Sequence, residues 1–565
     1  MTTDEKAPES LSRQVAGAMF WNVALFPLKF AVGLVAGIVV PNLLGLERYG
    51  LYILITSVAS TIGSYADLGM ERALPRYIPE VAHRFGAGGL RRFLREVLGV
   101  KLGLILLLIL LLNLFSGPLL GYMQAGEAEK GAAVRVRLEQ TGDPRERVRL
   151  EEELEAHEAL VRRLEEEGRL YLLAISALLA CGAAFDVFTR LLISYFRQRA
   201  SNVIDLVVAV LQPLLIVVLV LVGWDVRGIL VALVTTALVG VAMAWRQVRR
   251  ALAGLSERAG EFYRRWQQVW PRFLAFSGIS YIINLSTWLY DLAFLSLFTA
   301  AYLSTRDVAS LGVASKFVGL FLGYLMVPLS GIQVPLFSHL YARKGPAELQ
   351  EAFSILTQFL LLLLLPTGCG LALLSSSLIA LLYPGFPPET AALVLVFIAA
   401  MFLETIIGTP QNILQVYERY GMIVLARLSA LVILPLLILL VPRYGLLGAA
   451  VAAGVARLLP RAITFIYGLR FFSLRFPWRF AGRVVAGSAV MGGLLYPLVR
   501  WWNIAQVPPS WAGRGLVLGK DGAIALAGLV IFWAVFKALG GLEPEGKRRL
   551  AEMRFPFQKF LLKLL

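Results

Sequence analysis

The sequence predicts an all-α protein that crosses a membrane about fourteen times. Three observations lead there. Of 565 residues, 58% are hydrophobic and only 16% charged, with a mean hydropathy of +0.72. Soluble domains carry about 25% charged residues, and a soluble core cannot absorb this much apolar surface. Apolar runs such as Leu104–Leu112 and Val203–Val222, with their flanks, are long enough to cross ~30 Å of hydrocarbon at ~1.5 Å per residue. Lys and Arg gather in alternate loops, the pattern that orients a membrane protein.

Between turn and charge signals, helices are expected near 16–40, 50–70, 97–121, 170–194, 203–223, 228–245 and 272–299, then near 309–336, 353–382, 390–412, 421–441, 446–468, 481–500 and 521–540. Met1–Ser12 is polar with no cleavage site after it, so no signal peptide is expected. The net charge of +17 follows loop topology and not a nucleic-acid surface. One expected inside loop carries Arg72, Arg76, Arg84, Arg91, Arg92 and Arg95. The next carry Arg246, Arg249, Arg250, Arg258, Arg264 and Arg265, then Arg470, Arg475 and Arg479. The short outer loops hold only Arg48, Arg227, Arg306, Arg443, Arg514 and Lys520, which places both termini in the cytoplasm; the nine basic residues of 122–169 do not alter this, because positive-inside counting is weak for long loops.

Residues 122–169 interrupt the spans with a Glu/Arg-rich stretch on the outer side. Leu150, Leu154, Val161 and Leu164 share one helical face, and Gly142-Asp143-Pro144 makes a turn and helix start, so a helical hairpin is expected, a spacer or small contact surface and not a cargo site. The tail 541–565 mixes Lys547, Arg548, Arg549, Arg554, Lys559 and Lys563 with phenylalanines and leucines, as a helix on anionic inner-leaflet lipids would. Cys181 and Cys369 lie in apolar stretches as packing residues; His83, His157 and His339 fall in polar loops without metal-ligand spacing, so neither metal nor cofactor is expected.

The chain also repeats itself weakly: Tyr49-Gly50-Leu51-Tyr52 is echoed near Val308–Lys316, and Val222–Gly228 by Val441–Gly448. At these positions it resembles the bacterial polysaccharide (oligosaccharide or O-antigen) flippases of the multidrug/oligosaccharidyl-lipid/polysaccharide exporter superfamily. The residues that carry the resemblance are Leu44–Tyr52, Ala66–Tyr77, Leu365–Gly368, Ile379–Phe386 and Pro442–Ala450. The resemblance implies two six-helix lobes plus two further helices. It also implies movement of a polyprenyl-diphosphate-linked sugar from inner to outer leaflet. The corresponding segments are a tail 1–15, an N-lobe 16–245 containing the 122–169 hairpin, a linker 246–271, a C-lobe 272–468, two spans 469–540 and the basic tail. The expected partners are the lipid-linked glycan, inner-leaflet lipids and glycan-assembly enzymes.

Ionisable residues within spans are costly and face a cavity or a partner. Lys29 sits too deep to snorkel, so it either faces a cavity or belongs to a buried ion pair, and Pro27 is a candidate hinge beside it. Arg457 is as deep in the twelfth span, with Arg461 one turn away; arginine's fork suits a diphosphate. Asp67 with Arg72 and Arg76 marks an anchoring end or a phosphate gate. Asp291 and Lys316, at similar depth in the seventh and eighth spans, are expected to pair with each other, and Asp186 with Arg190 one turn away. Glu404 is the best lone acid for proton coupling. Competing readings are a peptidoglycan-precursor flippase, a drug/cation antiporter of the same superfamily, and a membrane glycosyltransferase or polymerase. The last would need an outer domain with paired carboxylates or a metal; the hairpin's Glu residues follow a plain helical period, so catalysis is not expected.

Overall fold

The computed structural model describes residues 24–141, 143–195, 197–253, 262–326, 337, 346–417, 419–502 and 511–541. The basic tail from 542 onward, the tail 1–15, Arg258 and residues 327–336 of the expected eighth span lie outside them. The described residues are helical almost throughout and fall into two compact units, Met1–Ala309 and Ser310–Leu565.

The first unit opens with α1, Phe26–Ala66, whose 41 residues are about twice the length a span needs at ~1.5 Å per residue. It is broken inside at Gly45, whose φ of 69° only glycine adopts cheaply. The expected spans 16–40 and 50–70 are therefore one interrupted helix, and the loop between them is this glycine break. α2, Met70–Leu114, corrects the expected arginine-rich loop: residues 70–85 are helical, followed by a break at Gly86 (φ 64°). Met70, Leu74, Tyr77, Val81 and Phe85 recur at three- and four-residue spacing, so this segment has an apolar stripe beneath its arginines. The stripe is buried against Val269 and Phe273 of α7 (Phe262–Trp288), Leu191 of α4 (Pro144–Ser194) and Val248 of α6 (Asp225–Ala253).

The hairpin is present as expected. α3 (Ser116–Gln140) follows α2 after a break at Phe115 and packs on α4, which runs unbroken for 51 residues from the hairpin turn through the following span. α5 (Gln198–Leu221) and α6 lie side by side. The expected span 272–299 is not straight: α7 ends at Trp288, α8 (Leu292–Ala300) follows at 54°, and Asp291 stands in the break. α9, Thr305–Met326, leads out of this unit.

The second unit contains α10 (Pro346–Leu382), α11 (Glu389–Ile406), α12 (Thr409–Val416), α13 (Tyr420–Leu428), a 3-10 turn at Ser429–Val432 and α14 (Ile433–Phe471). It ends with α15 (Trp478–Trp501) and α16 (Trp511–Ala538). α14 is broken at Gly445, with φ 54°, between the expected spans 421–441 and 446–468. α11 packs on α10 and α14, while α15 and α16 pack on α10 and on each other. Cys369 donates to the Ser488 carbonyl at 3.4 Å, a packing role between α10 and α15. Among the described residues 11 helices are long and apolar enough to cross a membrane, or 12 with the bent α7–α8 pair taken as one span.

Candidate functional site

In the first unit a chain of charges runs across α1, α2, α4 and α5. Lys29 Nζ donates to Asp205 Oδ2 at 3.1 Å and to Asn202 Oδ1 at 2.9 Å, with the lysine 26% and the aspartate 43% exposed. Lys29 thus has partners on α5 that were not anticipated, in a pair that stays part-exposed. Pro27 stands in the first turn of α1, where a missing N–H costs no helix bond; the break in this helix is at Gly45.

Among the described residues of the unit Lys101 is the most buried cation, and it was missed. A span beginning at 97 leaves it one turn from the edge, but the span runs Gly88–Leu114 and puts Lys101 13 residues from either end. That is about 20 Å of helix on each side. Its ammonium bridges Asp67 Oδ1 at 3.2 Å and Asp186 Oδ2 at 3.0 Å; the lysine is 3% and Asp67 9% exposed. This corrects the expected Asp186–Arg190 pair: Asp186 takes Lys101, and Arg190 reaches across to Glu71 on α2. Asp67 also accepts the Glu71 N–H at 3.2 Å, yet its Oδ2 is buried without a partner. Arg190 lies in the fields of Asp67 and Asp205, which joins the three pairings into one network. Arg76 places its guanidinium 4.8 Å from the Phe276 ring centre, and Arg72 is exposed one turn earlier on the same helix.

In the second unit Glu404 of α11 accepts from two arginines of α14, Arg457 Nη1 at 3.2 Å and Arg461 Nε at 3.3 Å. The three side chains are 13%, 15% and 21% exposed. Spacing of one turn aligns the two guanidiniums on the α11 face. Glu404 is thus not the lone acid expected, and Arg457 and Arg461 hold a carboxylate. Arg427 of α13, buried and also missed, donates to Gln411 Oε1 at 3.3 Å. Asp521 of α16 accepts from the Ser377 hydroxyl at 2.7 Å. Asp291 is exposed in the first unit, and Lys316 lies on α9 in the second.

A third cluster ties the hairpin to residues 298–307. Glu127 of α3 is buried; its Oε1 accepts the Thr305 N–H and its Oε2 lies 2.6 Å from His157 Nδ1 of α4. Lys130 pairs with Asp307, and the Tyr122 hydroxyl donates to the Phe298 carbonyl at 3.4 Å. From the other side Arg306 pairs with Glu47 at 2.6 Å. Two glycines permit this approach: a Cβ on Gly126 would lie 2.1 Å from the Leu303 carbonyl oxygen, and one on Gly50 2.1 Å from that of Thr305. Burial alone would raise the Glu127 carboxyl, but the bonds from His157 and Thr305 outweigh it and hold it below its ordinary value. His157 is therefore a buried partner and not a loop residue.

Among the described residues no group of His, Cys, Asp and Glu could hold a metal ion. A family model described as polysaccharide biosynthesis protein matches residues 164–385. No curated protein matches the chain. Among solved structures, the lipid II flippase MurJ in an inward closed conformation superposes with a TM-score of 0.65 at 14% identity, over 92% of this chain and 98% of that one. An inward-facing multidrug resistance MATE family transporter of the MOP superfamily superposes with a TM-score of 0.52 at 14% identity, over 80% and 98%. At such identity the likeness is one of fold. The chain is a multi-pass, all-α membrane protein with the fold that these two solved structures share.

Proposed function

We propose that this chain moves a lipid-linked saccharide between membrane leaflets by alternating access, and that a peptidoglycan precursor of the lipid II kind is the leading substrate. The observation that carries the reading is the likeness of nearly the whole chain to a lipid II flippase. It puts that reading ahead of the polysaccharide repeat unit which the sequence motifs favoured. The polysaccharide-biosynthesis match over 164–385 keeps the repeat unit as the second reading. Both cargoes present a diphosphate between sugar and polyprenol, and the chemistry asked of the protein is the same. An anion entering a low-dielectric space needs fixed cations or donors.

Arg457 and Arg461 offer planar forks on one helical face, held in register by Glu404. A diphosphate entering there exchanges a carboxylate for phosphate oxygens without unpairing a buried cation. Lys29 and its half-exposed Asp205 form a similar exchangeable pair. Arg72 and Arg76 are the proposed admission site at the end of the spans. Fourteen crossings are supported if the eleven helices and the bent pair are joined by one further crossing in each helix broken at glycine, α1 and the α13–α14 run. In this reading two six-helix lobes, 16–245 and 272–468, are followed by two spans in 469–540, with both termini cytoplasmic.

Native mass spectrometry of the detergent-purified chain tests the substrate class. Lipid II and a polyprenyl-diphosphate oligosaccharide should each be retained, and polyprenol without diphosphate should not. Retention of a hydrophobic cation such as ethidium in place of both would favour a cation antiporter.

A further inference from the structure

A slot of about 540 Å³ opens between α2, α4 and α6 within the first unit, separate from the three charge clusters. Its walls are apolar, built from side chains such as Leu98, Phe188 and Leu191, and its rim carries Arg91, Arg95 and Arg249. The rim arginines share one end of their spans. Arg91 and Arg95 lie within two turns of the start of Gly88–Leu114, and Arg249 lies one turn before the end of Asp225–Ala253. Along α2 the slot runs from Arg91 to Leu98, seven residues or about 10 Å, and Leu98 lies ten residues into the span, so the slot stays within one half of a ~30 Å hydrocarbon layer. Trp245, half-exposed and one turn further into α6 than Arg249, closes the inner end of the slot with its ring 5.3 Å from that of Phe188.

The charges at the rim are what distinguish the slot from an ordinary lipid-facing crevice. Arg92, next to Arg91 but off the rim, is neutralised by Glu96 at 2.9 Å. Arg95 and Arg249 have no acidic partner among the described residues. Cations held over an apolar slot, at headgroup depth, fit a phosphate carrying a hydrocarbon chain. The geometry points to a resident anionic glycerophospholipid, its phosphate among Arg91, Arg95 and Arg249 and one chain in the slot, in the leaflet on the arginine side. A volume of 540 Å³ is within the ~300–1,000 Å³ of small-ligand sites. The proposal concerns a resident lipid of the α2–α4–α6 face, and it stands whether or not the chain flips a saccharide.

The test uses the full chain, delipidated in neutral detergent, with phosphatidylglycerol as probe. Phosphatidylcholine of the same chains and soluble glycerol 1-phosphate are the comparators, read by native mass spectrometry. One phosphatidylglycerol should be retained at least ten-fold more tightly than phosphatidylcholine, and glycerol 1-phosphate should not be retained. Arg95→Gln and Arg249→Gln should each weaken retention about five-fold. The Arg95→Lys/Arg249→Lys pair should keep most of it. Arg246→Gln, exposed on α6 but off the rim, should have no effect. Leu98→Trp should weaken both lipids by filling the slot. Equal retention of the two lipids, equal binding of glycerol 1-phosphate, or an Arg246→Gln loss as large as that of the rim variants would each overturn the proposal.

Discussion

Glu127→Ala removes a side chain that joins both hairpin helices to the start of α9. Its carboxylate accepts from the buried Thr305 N–H and from His157, and the substitution leaves both without their acceptor. A hydrogen bond to a charged group contributes about 1.5–3 kcal/mol, and breaking a buried pair from one side costs about 3–5 kcal/mol. The expected local loss is therefore about 3–5 kcal/mol, or two to three and a half decades in the opening equilibrium at ~1.4 kcal/mol per decade. Hydrogen exchange of a peptide covering residues 300–307 reads this directly and should accelerate by that factor. Glu129→Ala, exposed two residues away, should change nothing there. The same contact sets an acid limit. The folded carboxyl titrates below its ordinary 4.5, so its stabilisation is fully present above that value and is lost as pH falls through the lower, folded one. Protection of 300–307 should be flat in this respect from pH 5 to 8 and decline in stronger acid. Wild-type exchange in Glu127→Ala at neutral pH would refute the reasoning.

The remaining predictions concern the other clusters. Lys101→Ala should strand Asp67 against Asp186 in the middle of the unit and lower stability by about 3–5 kcal/mol, with partial rescue by a second change, Asp67→Asn, measured by thermal unfolding in detergent. Gly126→Ala should destabilise the first unit through a Cβ 2.1 Å from a backbone oxygen, visible as faster exchange at the hairpin base. Replacing 124–167 by a Gly/Ser linker, expected from sequence to be harmless, should now loosen residues 300–307 because it removes Glu127 and Lys130 while membrane insertion persists; pulsed exchange on the shortened protein checks it. Glu404→Gln should leave the helices folded and tighten lipid II retention, measured by native mass spectrometry, since it removes the carboxylate that a diphosphate must displace from the two arginines.

The membrane class and the hairpin were legible because both rest on periodicity and composition. The broken helices were not. Gly45 and Gly445 sit in short polar patches that read as loops, and only the backbone shows a single helix turning through positive φ. The arginines of 72–95 drew attention from the stripe beneath them, Met70 to Phe85, whose spacing was a usable helix signal. Single charges were found by depth, but their partners were not, because pairing across helices depends on packing that no local spacing encodes. Lys29 with Asp205 spans 176 positions and Arg461 with Glu404 spans 57. The i,i+4 rule chose Arg190 for Asp186 where Lys101, 85 positions away, lies 3.0 Å from it. Depth counted from a misplaced span start hid Lys101 itself.

The most direct test of the central claim is transbilayer movement of fluorescent lipid II in liposomes containing the purified chain, followed by bleaching with an impermeant reductant. Protein-free liposomes should bleach only the outer-leaflet half. With the wild-type chain the whole pool should bleach, and Arg457→Ala/Arg461→Ala, once shown to be folded, should return the trace toward the protein-free one. A wild-type trace that stops at half with both lipid II and a polyprenyl-diphosphate oligosaccharide, from protein that drives ethidium out against a proton gradient, would contradict the account.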